Sequence, residues 1–116
     1  MSDIDLEELL PRLGEVPLFD VRRLGEYDGS NGASCDPRQG HIPGAMHLDV
    51  DELLMTTEDE LRSRLGLAEG AELVVYCHSG SRSELAAQAL RALGYDAKNY
   101  RGSWHEYSRT DHPLET

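Results

Sequence analysis

Short apolar runs alternate along the chain with stretches in which apolar residues return every three or four positions. The first pattern suits buried strands and the second amphipathic helices. Ile4, Leu6, Leu9 and Leu10, with Glu7 and Glu8 among them, predict a short helix at about residues 5–12, with Ser2, Asp3 or Asp5 near its cap. Pro17 to Val21 reads as a buried strand, and Arg22 to Tyr27 as the start of a helix. Asp28 to Gly40, rich in Gly, Ser, Asn and Asp, reads as a long surface loop, and loops of that length are functional or mobile. A turn follows at His41 to Ala45, then a short strand from Met46 to Val50. Asp51–Met55 and Glu58–Leu65 read as helices, with Thr56 or Thr57 as a cap for the second and Gly66 as its stop. Leu73 to Tyr76 is apolar, and Leu85, Ala86, Ala89, Leu90 and Leu93 recur at helical spacing. A last strand, Ala97–Tyr100, and a last short helix, Gly102 to Tyr107, complete the pattern. Strands alternating with helices predict an α/β fold with a mostly parallel sheet covered on both faces.

The segment between the Leu73 strand and the helix after it carries the chemistry. It reads Cys77-His-Ser-Gly-Ser-Arg-Ser83 and has no apolar member after the cysteine, so it does not fill a core. Ligands in parallel α/β folds bind at the carboxyl ends of strands. Cys77 stands at such an end, as does the Asp20–Arg22 segment. Cys77 also faces a helix N-terminus, whose unpaired amides and partial positive charge favour a thiolate and an anion above it. Ordinary burial of an inert thiol is the competing reading, and the polar loop counts against it. Gly80 lets the backbone curl, Arg82 supplies a fixed charge, and Ser81 and Ser83 are expected to cap the helix.

Composition narrows the partners. The 116 residues suffice for one domain with a real core, taken as residues 1–116. The formal charge of −11 disfavours nucleic acid and anionic membrane. No apolar run is long enough to span a bilayer and no signal peptide is evident, so a cytoplasmic protein with reduced thiols is expected.

With these residues in view, the chain resembles the rhodanese family of sulfurtransferases. The likeness runs through Leu18-Phe-Asp-Val-Arg22, Glu26-Tyr27, Gly40-His-Ile-Pro-Gly-Ala45, Val75-Tyr-Cys-His-Ser-Gly-Ser-Arg-Ser83, Ala92-Leu-Gly-Tyr95 and Tyr100-Arg-Gly-Ser-Trp-His-Glu-Tyr107. The last stretch, and the insertion before Gly40, are similar to the catalytic half of two-domain thiosulfate and mercaptopyruvate sulfurtransferases. The resemblance implies that Cys77 carries a persulfide in a ping-pong transfer from thiosulfate or a similar donor to cyanide, a thiol or a protein acceptor. The amides of His78, Ser79, Gly80, Ser81, Arg82 and Ser83 would hold the anion. His78 and Arg82 favour thiosulfate over mercaptopyruvate as donor. No cofactor is implied.

Asp20 and Arg22 match the family's Asp-x-Arg motif. Arg22 reads first as a structural tie to a carboxylate, Asp20 as a loop organiser, and His41 as a turn residue with a minor claim on substrate. Trp104 reads as packing under the last helix. Cys35 matches no motif; it is an incidental exposed thiol or, less favoured, a resolving cysteine. Cys35, His41, His47 and Cys77 lack the close paired spacing of a structural zinc site, so no metal is expected. Two rival functions remain. A cysteine phosphatase or arsenate reductase has a loop one residue longer than the four between Cys77 and Arg82. A non-turnover sulfur carrier or binding module would keep the same residues and serve a partner protein.

Overall fold

The computed structural model describes residues 3–116. Its strands are β1 (Asp3–Ile4), β2 (Leu18–Asp20), β3 (Met46–His47), β4 (Glu72–Tyr76) and β5 (Asp96–Tyr100). Its helices are α1 (Leu6–Leu9), α2 (Leu24–Asp28), α3 (Val50–Met55), α4 (Glu58–Leu65), α5 (Ser81–Ala92) and α6 (Ser103–Tyr107). The strands form one sheet in the order β1-β5-β4-β2-β3, and every pairing is parallel. The expected α/β class therefore holds, with a sheet that is parallel throughout.

Side chains of successive strand residues point to opposite faces, and two cores result. Phe19, Val21, Leu73, Val75 and Cys77 join Leu53 of α3, Leu61 and Leu65 of α4 and Ala86, Ala87 and Leu90 of α5 on one face. Leu18, Val74, Tyr76 and Tyr100 join Leu9 of α1 and Trp104 and Tyr107 of α6 on the other. The continuous apolar run of β4 is the mark of a central strand buried on both sides. Its neighbours pair in register Asp20↔Tyr76 and Val75↔Asn99, so the ends of β2, β4 and β5 lie side by side. No helix of the described residues is long and apolar enough to cross a membrane.

The chain start differs from expectation. Asp3 and Ile4 form an edge strand against Asn99 and Tyr100, a two-residue element with no periodicity of its own. The expected helix at 5–12 is α1 followed by a 3-10 turn at Leu10–Arg12, because Pro11 cannot donate the next helical hydrogen bond. Asp5 is the cap, accepting from the Glu8 amide at 2.9 Å in a capping box, while Ser2 lies outside the described residues. The strand expected to run to Val50 stops at His47, since Asp49 caps α3 by accepting from the Asp51 amide. Thr57 caps α4, and Gly66 ends it in the left-handed conformation.

Candidate active site

β4 delivers Cys77 to the carboxyl end of the sheet with no solvent exposure. The chain then turns tightly through Gly80, at φ +96°, into α5. A β-carbon at Gly80 would stand 2.8 Å from the Arg101 carbonyl oxygen, so a side chain there is excluded twice, by conformation and by space. This turn brings the Gly80 amide within 3.0 Å of Cys77 Sγ. The Ser83 hydroxyl donates to the same sulfur at 3.3 Å. Ser83 is thus no helix cap. The cap position is Gly80, without a side-chain bond, and Ser81 is exposed on the first turn. The role expected of the serines fails because the buried sulfur is the nearer acceptor for Ser83. Burial opposes ionisation of Cys77, but the Ser83 hydroxyl and the amides of Ser83, Gly80 and Ser79 outweigh it. The thiol titrates below its ordinary value.

A second set of bonds holds this turn from outside. The Cys77 amide donates to Ser103 Oγ at 3.1 Å, and that hydroxyl donates to the Tyr100 carbonyl at 2.9 Å. Ser103 has φ +56°, the one non-glycine among the described residues with positive φ, and such strain gathers at functional sites. The Trp104 and His105 amides donate to the carbonyls of Cys77 and His78, both at 2.9 Å. Buried Asn99 donates to the Gly80 carbonyl at 3.2 Å, which fixes the peptide whose other neighbour reaches the sulfur.

Asp20 and Arg22 lie beside this turn as a closed unit. Arg22 Nη2 donates to Asp20 Oδ2 and to the Gly40 carbonyl, each at 2.6 Å, and Nε bonds both Asp20 oxygens at 3.0 Å. The guanidinium is buried over Tyr76 and Trp104. Arg22 thereby joins β2 to the end of the long loop, with Nε and Nη2 both engaged. His41 is buried elsewhere. It stacks on Tyr27 at 3.8 Å, shares a 2.7 Å hydrogen bond with the Tyr27 carbonyl, and pairs its backbone with Glu115. Trp104 is buried under α6, its indole donating to the Arg38 carbonyl.

The two basic residues of the loop have partners of their own. Arg82 grips Glu26 with two bonds, at 2.9 and 3.1 Å, and each keeps the other charged against the cost of partial burial. It lines an open cavity of about 510 Å³ with Arg23, Glu26 and residues Asn31, Gly32 and Ala33 of the long loop. His78 turns toward that loop's other part, with Nε2 3.0 Å from Asp36 Oδ2 and 3.6 Å from Cys35 Sγ.

The sulfur-centred turn, on the end of a central parallel strand, invites comparison with known proteins. The model of the rhodanese-like domain matches residues 5–110. The chain belongs to the rhodanese family. A protein of Mycobacterium bovis that carries the provisional name thiosulfate sulfurtransferase 1 is 33% identical over 94% of this chain and 46% of its own length. A Haloferax volcanii protein with the same kind of provisional name is 36% identical over 79% of this chain and 37% of its own. The rhodanese chain therefore spans about half or less of the curated relatives it matches. Among solved structures, a probable thiosulfate sulfurtransferase superposes with a TM-score of 0.86 at 39% identity, over 99% of this chain and 48% of that one. A human single-domain sulfurtransferase superposes with a TM-score of 0.70 at 31% identity, over 97% of this chain and 99% of that one.

The rhodanese motifs mark the sulfur and its loop, but nothing in the sequence marks Ser103, Asn99, Asp36 or Glu26 as partners of that loop. Gly102-Ser-Trp was visible as a motif, yet nothing in it marks Ser103 as a bond to Cys77. Asn99 falls within a predicted strand, and its burial beside Gly80 comes from strand register.

Proposed function

We propose that this rhodanese-family chain moves a sulfane sulfur from a small anionic donor, thiosulfate above all, through a Cys77 persulfide to a nucleophilic acceptor. The observation that carries this reading is the buried Cys77 sulfur receiving the Gly80 amide and the Ser83 hydroxyl. The thiolate attacks the outer sulfur of thiosulfate, the sulfur–sulfur bond of the donor breaks, and sulfite leaves with the bonding pair. Cys77 now bears a terminal sulfur with the remaining negative charge. An acceptor such as cyanide attacks that sulfur, thiocyanate departs, and the thiolate returns. Charge rests on sulfur at both stages, so the same amides and hydroxyl stabilise thiolate and persulfide. Arg23 and Arg82 on the rim of the cavity suit an anionic donor, although Glu26 cancels much of the Arg82 charge. A protein or small thiol is a further acceptor of the same chemistry.

The four-residue loop disfavours the phosphatase reading, and a ring of donors drawn onto one atom fits sulfur better than a phosphate ester. A carrier serving a partner protein shares the first half-reaction and differs in the second. Intact mass after thiosulfate, with and without cyanide, separates the cases. Gain of one sulfur that cyanide removes, with thiocyanate turning over, supports the enzyme; a stable adduct that cyanide leaves in place supports a carrier. Absence of any adduct overturns both.

A further inference from the structure

Cys35, His41, His47 and Cys77 lack the paired spacing of a metal site, but the fold assembles a different set. The long loop supplies Cys35 and Asp36, the residue after Cys77 is His78, and α6 supplies His105. One donor atom from each of these four lies within 4.8 Å of all the others. We propose that Cys35, Asp36, His78 and His105 form a structural binding site for a divalent transition cation of the zinc class, outside the sulfur-transfer centre.

Three observations carry this. The first is the orphaned carboxylate oxygen. The Asp36 side chain is fully buried, and its Oδ2 accepts no hydrogen bond although His78 Nε2 stands 3.0 Å away. A buried, unpartnered carboxylate oxygen is costly, and a cation between the two atoms would satisfy both. Arg109 Nη1 already holds the other oxygen, Oδ1, at 3.1 Å, which aims Oδ2 at the cluster.

The second is spacing. Donors bound at about 2.0–2.3 Å on a tetrahedron stand about 3.3–3.8 Å apart. Here Cys35 Sγ is 3.6 Å from His78 Nε2, and Asp36 turns both oxygens to the cluster: Oδ2 is 3.0 Å from His78 Nε2, and Oδ1 is 3.9 Å from Cys35 Sγ and 3.6 Å from His105 Nδ1. The atoms are thus close to bonded spacing before any cation enters.

The third is preorganisation. The His105 amide donates to the His78 carbonyl at 2.9 Å, so the sheet end holds both histidines side by side, their rings edge to face. Arg109 Nη2 fixes the Cys35 carbonyl at 2.8 Å, and Gln39 fixes the Asp36 carbonyl at 3.2 Å. One thiolate, two imidazoles and one carboxylate are a borderline donor set that suits zinc. Four protein donors complete a tetrahedron and leave no open position, which is the mark of a structural site. The thiolate and carboxylate balance the ion, and Arg109 is a further cation in contact with the cluster. The competing account is an ion-pair knot in which protonated imidazoles and Arg109 surround Asp36. Cys35 and His105 are exposed, so a cation reaches the site directly.

The test uses the full chain carrying Cys77→Ser, so that the sulfur-transfer thiol takes no part. Cobalt(II) reports thiolate ligation by its charge-transfer band, and zinc is titrated in competition with a chromophoric chelator. The site requires one equivalent of either metal, a thiolate band, release of protons on binding, and a rise in the thermal midpoint. Adding Cys35→Ser removes the band, and adding His105→Gln weakens zinc binding by about tenfold or more. Both positions are at the surface, and circular dichroism verifies that each variant is folded. Absence of a one-to-one complex at micromolar zinc overturns the proposal in favour of the ion-pair knot. So does binding that neither added substitution weakens.

Discussion

Cys35 and Cys77 share His78 as a neighbour, yet their surroundings make them different reagents. Cys77 sits on a central strand, in a turn so short that its own following amides reach back to the sulfur. Cys35 sits in a loop of ordinary polar residues, exposed, with a carboxylate and an imidazole for company. Hydrogen-bond donors converge on the first sulfur and lone-pair donors gather around the second. The first environment stabilises negative charge on one atom; the second collects ligands that share a cation. His78 belongs to both regions, its backbone to the sulfur turn and its ring to the Cys35 cluster. The lesson is that the chemistry of a thiol is set by which ends of its neighbours point at it, and not by how many polar residues surround it.

The sharpest way to break this contrast is to exchange the thiols one at a time. Cys77→Ser is expected to abolish the thiosulfate-derived sulfur adduct, and Cys35→Ser to leave it at full occupancy, by intact mass. A full adduct surviving in Cys77→Ser would sink the assignment of the persulfide.

The next largest effect belongs to Ser83. A hydrogen bond to a charged group is worth about 1.5–3 kcal/mol, so Ser83→Ala should raise the pH at which Cys77 titrates. The direction follows from the bond being made to the thiolate, since its loss favours the protonated form. The pH at which iodoacetamide alkylation of Cys77 reaches half its plateau measures this, and an unmoved midpoint removes Ser83 from the site.

Arg82 and Glu26 give a smaller, paired effect. Glu26→Gln releases the Arg82 charge and should lower the donor constant, whereas Arg82→Ala should raise it. For this partly buried pair at the rim an effect of about 1 kcal/mol, a factor of about five, is expected, and added salt should shrink both changes. Equal donor constants in the two variants would show that the anion never meets this rim.

The smallest expected effect lies away from both cysteines and serves as their control. Arg12 and Lys98 hold the Glu72 carboxyl down at about 2, from an ordinary 4.5. A depressed acid stabilises the fold fully above its unfolded value and loses that contribution as pH falls through its folded value. Glu72→Gln should therefore lower the thermal midpoint slightly near neutrality, and the gap to the wild type should close between about pH 4.5 and pH 2. A gap that widens on acidification contradicts the pairing.

Much of this molecule is determined by local pattern. The apolar run of β4, the helical spacing of α5, the stop at Gly66 and the turn at Gly80 follow from period and backbone freedom, which act within a few residues. The Cys77 loop was legible for the same reason: its donors are its own next residues, so the sequence that names the nucleophile also names the groups that surround it. The family likeness added the donor and acceptor chemistry that no periodicity contains. Tertiary structure decided the rest. It paired Asp3 and Ile4 with β5, turned Ser83 away from the cap and onto the sulfur, matched Arg82 to Glu26, and set Ser103 and Asn99 against the turn. It also gathered Cys35, Asp36, His78 and His105. These contacts join residues from different elements, and their partners depend on strand order, register and the path of the long loop from Gly29 to Gly40. A side chain's chemistry is written in the sequence, but what it faces is fixed only when separate elements close on one another and buried polar groups must find partners.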